Sequence, residues 1–351
     1  MAAPHALTFA QTSSNPGEHL HLESFPDPSQ EELAATSVLV KLLVAAINPQ
    51  DLLVLTGRYP VQPLYQLPGG RGHVAGFDGV AEVVRCGTAV DMLRPGDRVI
   101  PKRHGLGTWR PVAVWPAADL HRITPQIDVA AAAVLRMSAL PAFLLLEDMC
   151  RLKPGDWLIQ NAGSSAIAQL VVQLARLRGV HSVSVIRDGP GAAATKVALA
   201  GMGAAVVLTE SQLDNADDVA ALDLKAGGKR FVLALDAVFG RSGEKIAAVL
   251  SPGGLLVNYG SLGGSTFTLT QEVLFWKRIQ LRNFRLSEQL GARTQSEQDD
   301  ALRWLEQLFV AGRLAPPVLQ SVRWDAQVLR NVVEAVTTAE VGARKKLLVF
   351  V

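Results

Sequence analysis

The sequence predicts an α/β protein of two domains, in which a doubly wound parallel sheet interrupts a β-rich unit. Three observations predict it. To about residue 125, Gly and Pro cut the chain into short β-type runs. From about residue 126, strands and helices alternate at spacings that require parallel crossovers. After about residue 288 comes a short helix–strand–helix–strand tail of a kind that packs back on the first part. The expected domains are therefore 1–125, 126–288 and the returning 289–351, and 351 residues suffice for two cores.

In the first part Ser37–Ala45, Gly79–Arg85, Asp97–Pro101 and Trp109–Val114 have the apolar, β-branched density of strands. An alanine-rich helix, Val129–Arg136, leads into a longer apolar helical stretch through Pro141 to Met149. The alternation then runs Trp157–Ala162 (strand), Ser165–Leu177 (helix), Ser182–Arg187 (strand), Thr195–Met202 (helix) and Ala205–Thr209 (strand). Phe231–Ala237 (strand), Glu244–Leu250 (helix), Gly254–Tyr259 (strand) and Gln280–Phe284 (strand) complete it, which makes this half a Rossmann-type unit. The tail supplies a helix at Glu297–Ala311, a strand at Gln320–Trp324, a helix at Gln327–Thr337 and a last strand at Lys346–Val351. The stretch Trp157–Ala175 carries no charge, but its glutamines, Asn161, Ser164 and Ser165 make it strand, polar loop and helix rather than a membrane span. Leu93-Arg-Pro-Gly-Asp97 and Leu152-Lys-Pro-Gly-Asp156 are near copies, yet their flanks differ, so each reads as a tight turn feeding a strand.

Composition excludes several functions. Hydrophobic residues at 49% and charged ones at 19% describe a chain that folds compactly. Lys plus Arg (34) nearly balances Asp plus Glu (32), so no field recruits nucleic acid or an anionic membrane. Cys86 and Cys150 are too few for a disulfide framework or a four-cysteine zinc site, which points to a reducing compartment. The histidines show no His-Glu-x-x-His spacing, and no Gly-x-Ser-x-Gly elbow exists, so neither metal catalysis nor a serine nucleophile is expected. His73 and His104 read as loop or surface histidines. Met1 to Pro16 lacks a basic n-region, an apolar h-region and any arginine, so the cytoplasm is the expected compartment.

The loop after the first strand of the alternating half is Ala162-Gly-Ser-Ser-Ala-Ile-Ala-Gln169 rather than G-x-G-x-x-G. Its small residues still let N–H groups at a helix start approach a pyrophosphate, and Ser164 and Ser165 add hydroxyls; the same serines also suit a plain N-cap. The second strand ends in Arg187-Asp188. An acidic tip accepts from a ribose 2′-hydroxyl and an arginine pairs with a 2′-phosphate, so the sequence is divided there.

Ala46-Ile-Asn-Pro-Gln-Asp51, Gly57-Arg-Tyr-Pro60, Gly76-Phe-Asp-Gly79, Leu93-Arg-Pro-Gly-Asp97, Gly105-Leu-Gly-Thr-Trp-Arg110 and Leu152-Lys-Pro-Gly-Asp156 occur in one order. With Gln160-Asn-Ala162, Tyr259-Gly260 and Phe284-Arg-Leu-Ser287, the chain resembles a zinc-independent medium-chain dehydrogenase/reductase. Within that superfamily it most resembles the mitochondrial trans-2-enoyl-CoA/ACP reductases. The zinc-dependent members place a Cys near Asn48 to Asp51 and a Gly-His-Glu at Gly76-Phe-Asp78, and both ligand positions are lost here.

The resemblance implies a GroES-like catalytic domain around the Rossmann insertion, with nicotinamide and substrate in the cleft between them. It implies NADPH-dependent reduction of the C2=C3 bond of an enoyl-CoA or enoyl-ACP in fatty-acid or polyketide synthesis, and a homodimer. The mitochondrial matrix is the compartment it suggests. Tyr59 matches the family's catalytic tyrosine, and a phenol can donate the proton or a hydrogen bond to the enolate. Cofactor contacts carry over onto Ser164, Ser165, Ala166 and Ile167, onto Arg187 and Asp188, and onto Tyr259, Gly260, Ser261 and Leu262. Phe284, Arg285, Leu286, Ser287 and Lys345 complete that set. Ser138 stands where the family has an asparagine for the nicotinamide, Arg285 replaces a pocket tryptophan, and Gly189 replaces a second basic residue that Lys196 could stand in for. Trp109 is a wall of the acyl pocket or a structural tryptophan. The rival functions are an NADPH quinone oxidoreductase and a non-catalytic NADPH-binding protein.

Overall fold

The computed structural model describes residues 3–59, 63–67, 69–70, 72–228, 230–264, 266–337 and 345–350. Met1, Pro60 and Val351, which belong to segments read above, lie outside them. Short apolar runs ended by turns give β1 (His5–Phe9), β2 (His21–Ser24), β3 (Ser37–Ile47), helix α1 (Pro49–Leu55), β4 (His73–Val74), β5 (Gly79–Cys86), β6 (Arg98–Pro101), β7 (Val112–Pro116) and β8 (Leu120–Arg122). The strand expected from Trp109 begins only at Val112, because left-handed Gly105 and Gly107 turn Trp109 and Arg110 into the core first.

Next comes α2 (Val129–Ala132), capped by Asp128, which accepts from the Ala130 and Ala131 N–H groups at 2.9 and 3.2 Å. The expected helix to Arg136 stops there. A π-type turn at Leu135–Ala139 leads into α3 (Leu140–Glu147), because Pro141 has no N–H and its ring crowds the carbonyl four residues back.

The alternation follows as β9 (Trp157–Gln160), α4 (Ala166–Leu177), β10 (His181–Ile186), α5 (Ala192–Met202), β11 (Val206–Thr209), α6 (Glu210–Leu213), α7 (Ala216–Ala226), β12 (Phe231–Asp236), α8 (Gly240–Val249), β13 (Leu255–Asn258) and β14 (Gln280–Asn283). After α9 (Leu286–Gly291), α10 (Gln295–Val310), β15 (Leu319–Trp324) and α11 (Val328–Thr337), the chain ends in β16 (Lys345–Phe350). The two Pro-Gly-Asp phrases make the same turn. Gly96 and Gly155 take φ +90° and +88°, and Asp97 and Asp156 accept from the N–H three residues earlier at 2.9 and 2.7 Å.

The chain divides into two compact units, one comprising Ser138–Gln298 and the other the residues up to Met137 and again from Asp299. In the first-mentioned unit β11-β10-β9-β12-β13-β14 form one parallel sheet, doubly wound as the alternation requires. Its core gathers Ile159, Val183, Val185, Ala234 and Leu256.

The other unit holds a seven-stranded sheet ordered β15-β16-β3-β5-β6-β8 with β7 on β3, and a small sheet β2-β1-β4. The tail returns to this unit: β16 runs antiparallel to β3, and β15 parallel to β16. His121 of β8 fastens the returning chain, meeting Asp299 at 2.9 Å and Glu306 at 3.0 Å, while Glu306 also accepts from the Thr124 N–H at 2.8 Å.

Candidate active site

The parallel sheet reverses its winding beside β9, which puts the crevice outside the C-terminal ends of β9 and β12. The loop leaving β9 is tightly made. Ala162 takes φ +46°, a left-handed conformation uncommon for an alanine. A Cβ on Gly163 would come within 2.9 Å of Ser184 Cβ and 3.0 Å of the Val185 carbonyl, so only glycine fits. Ser165 caps α4 by accepting from the Ala168 N–H at 3.3 Å. Ala166 and Ile167 begin the helix, where the first N–H groups lack intrahelical partners.

The strand ends are locked by a polar network. The Asp236 carboxylate accepts from Asn161 Nδ2 at 2.6 Å, from the Val238 and Phe239 N–H groups at 3.0 and 2.8 Å, and from Asn258 Nδ2 at 3.1 Å. Asn161 Oδ1 in turn accepts from the Ala237 N–H at 2.8 Å. This frame positions Tyr259, whose N–H donates to the Asp236 carbonyl at 2.8 Å. The Tyr259 hydroxyl is buried toward Ser165 but closes no hydrogen bond of normal geometry among the described residues. Burial, with the Asp236 charge beside it, pushes that phenol far above its usual range. Gly260 lies so close to the Ala237 carbonyl, 2.6 Å from where a Cβ would sit, that no side chain fits. Ser261 is exposed, and Leu262 is half-buried with its N–H on the Ala237 carbonyl.

At the tip of β10, Asp188 is already engaged: it accepts from the Ser211 N–H at 3.1 Å and from the Ser211 hydroxyl, and these bonds hold its carboxyl below the usual range. Arg187 beside it is exposed. Lys196 donates to Gln212 at 2.5 Å instead of standing free. Phe284 is buried with its N–H on the Asn258 carbonyl at 2.8 Å; Arg285 forms a surface pair with Glu288 at 3.2 Å, and Leu286 and Ser287 open α9. Ser138 is buried in the turn before α3. The loops after β9, β10, β13 and β14 therefore carry most of the expected cofactor residues along one edge of the sheet.

Tyr59, Trp109 and Lys345 belong to the β-rich unit. Tyr59 follows α1 after Gly57, which takes φ +69°; its N–H donates to the Leu53 carbonyl at 3.1 Å, and its half-buried ring meets Phe77 edge-on at 6.4 Å. Trp109 is completely buried and donates its indole N–H to the Ala46 carbonyl at 3.2 Å, so it offers no accessible face. A Cβ on Gly76 would lie 2.3 Å from its ring. Arg110, equally buried, lies over the Tyr65 ring at 3.7 Å and donates to the Gly107 and Leu106 carbonyls at 3.0 and 3.1 Å.

Sequence reasoning missed a buried ionic cluster around these residues. Asp51, at the third position of α1, accepts from the Asn48 N–H at 2.6 Å, and the Lys345 ammonium donates to Asn48 Oδ1. Asp78, fully buried after Phe77, accepts from the Gly79 N–H at 3.1 Å. Burial pushes Asp51 up to about 7 and Asp78 up to about 6, and pulls Lys345 down to about 8. Asn48 Nδ2, Asp51 Oδ1, Asp78 Oδ2 and His104 Nε2 are buried without hydrogen-bond partners among the described residues. His104 lies in a loop, as one of the two expected alternatives had it, but it is not simply exposed: it packs edge-on against Phe77 at 5.7 Å, and burial with the Arg136 charge pulls it down to about 3. The one available signal was a single charge set in an apolar run, as at Gly76-Phe-Asp78-Gly-Val80 and Val134-Leu-Arg136-Met137.

Comparison with known proteins gives this geometry a family. Residues 34–125 match the alcohol dehydrogenase GroES-like domain. The mitochondrial enoyl-[acyl-carrier-protein] reductase of Xenopus tropicalis is 34% identical over 304 residues, covering 86% of this chain and 84% of the relative. The mitochondrial 2-enoyl thioester reductase Etr1p/Etr2p heterodimer from Candida tropicalis superposes with a TM-score of 0.91 at 27% identity, over 99% of this chain and 100% of that one. The Etr1p/NADP/crotonyl-CoA complex gives 0.90 at 27% identity, over 99% and 100%. Among the described residues no helix is long and apolar enough to cross a membrane. With a GroES-like unit, a doubly wound sheet and relatives matched over most of both chains, the protein belongs to the medium-chain dehydrogenase/reductase family of the mitochondrial enoyl-[acyl-carrier-protein] reductases.

Proposed function

We propose that the protein reduces the C2=C3 double bond of a 2-enoyl thioester, acyl-CoA or acyl-ACP, with NADPH. The observation that carries the reading is Tyr59: a half-buried phenol set on Phe77 beside a buried ionic cluster, in a chain of this family. The nucleotide-binding residues suit NADPH. The first turn of α4, the Tyr259 hydroxyl buried beside Ser165 and the close backbone at Gly163 and Gly260 form a cradle for a diphosphate. Asp188 is spent on Ser211, which removes it as a ribose acceptor and leaves exposed Arg187 to pair with a 2′-phosphate. Ser138 supplies a hydroxyl to the nicotinamide, and Lys345 remains in the cofactor set as a buried cation.

When bound, NADPH supplies the hydride that adds to C3. Tyr59 then protonates C2 of the enolate, or first donates a hydrogen bond to its oxygen. Trp109 shapes the acyl pocket from inside the core rather than by touching the chain. The surface at β14, where Leu281 is exposed on a strand that pairs on one side only among the described residues and Leu274, Phe275 and Trp276 are exposed in the helical turn before it, is where a second copy of the chain docks.

The test is NADPH oxidation by purified protein offered crotonyl-CoA, a longer enoyl-CoA or a quinone. Turnover with the enoyl-CoAs is expected, and turnover with quinone alone overturns the proposal. Tight NADPH binding without oxidation would assign a non-catalytic protein instead. Tyr59→Phe is expected to lower enoyl reduction by about one to three orders of magnitude; unchanged turnover would assign the ring to packing.

A further inference from the structure

Arg136 is an unusual residue for its place. It sits in a run that is otherwise apolar, it is 3% exposed, and no carboxylate among the described residues reaches salt-bridge distance of it. Its Nε and Nη2 donate to the Lys102 carbonyl at 3.0 and 2.7 Å, which satisfies donors without cancelling charge. Nη1 faces Met137 Sδ at 3.2 Å and His104 Nδ1 at 3.4 Å. His104 stands edge-on to Phe77, and Phe77 carries Tyr59, so the guanidinium lies behind the tyrosine across two aromatic rings. The charges of Asp78 and of an ionised Tyr59 both stabilise the Arg136 cation. A buried cation opposed only at longer range exerts a strong field, because little water screens it.

We propose that Arg136 is a positioning residue for the reduction, whose buried charge stabilises the Tyr59 phenolate formed when that tyrosine protonates C2, with Asp78 as the opposing charge that limits the effect. The inference rests on Tyr59 as proton donor. In that step the Tyr59 O–H bond breaks, a C2–H bond forms with the enolate electron pair, and the negative charge left on the phenolate oxygen lies in the field of Arg136. Solvent returns the proton before the next turnover.

Among the described residues, the other charged groups of this unit are engaged elsewhere. His104 is neutral in the working range, the Lys102 ammonium pairs with Asp299 at 3.5 Å, and Arg58 on the same loop is exposed. Asp51 and Lys345 oppose each other on the Asn48 side of the cluster. Arg110 is held over Tyr65.

The experiment is a tyrosinate absorbance titration, taken as the difference between each protein and the same protein carrying Tyr59→Phe, alongside the pH profile of kcat/KM with crotonyl-CoA. Arg136→Met is expected to move the Tyr59 midpoint and the alkaline limb up by about one pH unit and to lower kcat about tenfold. Arg136→Lys should restore both. Asp78→Asn should move them in the opposite direction, a signature that loss of packing does not produce. An unmoved Tyr59 midpoint in Arg136→Met overturns the inference, as does a shift of the same sign in Asp78→Asn. Arg136→Lys and Asp78→Asn decide the matter if Arg136→Met does not fold. Full turnover in Tyr59→Phe would sink the proton-donor reading, while the titration would still report whether Arg136 acts on that phenol.

Discussion

Each unit has a buried polar network, and the two are built to opposite rules. At the strand ends of the parallel sheet, Asn161, Asp236 and Asn258 exchange hydrogen bonds until both carboxylate oxygens of Asp236 are satisfied. In the β-rich unit, Asn48, Asp51, Asp78 and His104 each keep a buried polar atom without a partner among the described residues, and the charges there belong to groups that burial brings toward neutrality. A closed network fixes backbone geometry, whereas an open one stores charge that is sensitive to protons and ligands. The difference separates a frame that holds the loop after β9 still from a cluster whose charge responds to its surroundings.

The largest effect should come from breaking the closed network. Asp236→Ala removes the acceptor for four donors and leaves the side chain of Asn161 and the N–H groups of Val238 and Phe239 without it. Urea unfolding is expected to show a loss of about 3 kcal/mol or more, in the range for breaking a buried charged hydrogen-bond set. A loss below about 1 kcal/mol would mean that the network is not what locks these strand ends.

The contrast also shows how far the sequence could be read. The doubly wound sheet was legible because apolar strand runs and helical segments alternate at crossover spacing from Trp157 to Asn283. Short or charge-rich elements were not. α1 has only seven residues and no periodicity to betray it, although Asn48, Pro49 and Asp51 spell its start. α6 and α7 carry too few apolar residues to announce a buried face, although Thr209 and Gln212 form a capping box. β1, β2 and β4 are brief, and only pairing in a small sheet makes them strands. In the site, the Tyr59 and Tyr259 segments were recognisable as motifs. The cluster was not, because Asp51, Asp78, Arg136 and Lys345 are isolated charges far apart in sequence that only the folded sheet assembles.

The open network makes the second prediction, on pH. Asp51 and Asp78 have folded pKa values raised above the unfolded one, so the native state binds more protons than the unfolded chain between about pH 4 and 7. Their contribution to stability is complete below the unfolded pKa and is lost as pH rises through the folded values. Lys345 has a lowered folded pKa, so it costs stability below about pH 8 and recovers it as pH climbs toward its ordinary value. Stability should therefore fall from about pH 4 to 7, pass through a trough near neutrality and rise above about pH 8. Asp51→Asn, which can still accept from the Asn48 N–H, should flatten the descending limb by about 1 kcal/mol in urea midpoints taken across pH. An unchanged slope would show that the cluster stays ionised throughout.

The smallest effect is expected where the closed network meets the loop after β9. Ala162 follows Asn161 directly and is held at φ +46° by neighbours on both sides: the Ser165 N–H donates to its carbonyl at 2.8 Å, and the Gly163 N–H is tied to the Val185 carbonyl at 2.8 Å. A left-handed alanine costs about 1 kcal/mol, and glycine would relieve it. Glycine also gains about as much freedom in the unfolded chain, so the two contributions nearly cancel. Ala162→Gly should leave the unfolding free energy within about 0.5 kcal/mol, whereas Ala162→Val, β-branched in a left-handed position, should lose more than about 1 kcal/mol. A clear gain in stability from Ala162→Gly would show that strain at this position is carried without compensation, and that the strand-end network exists in part to impose it.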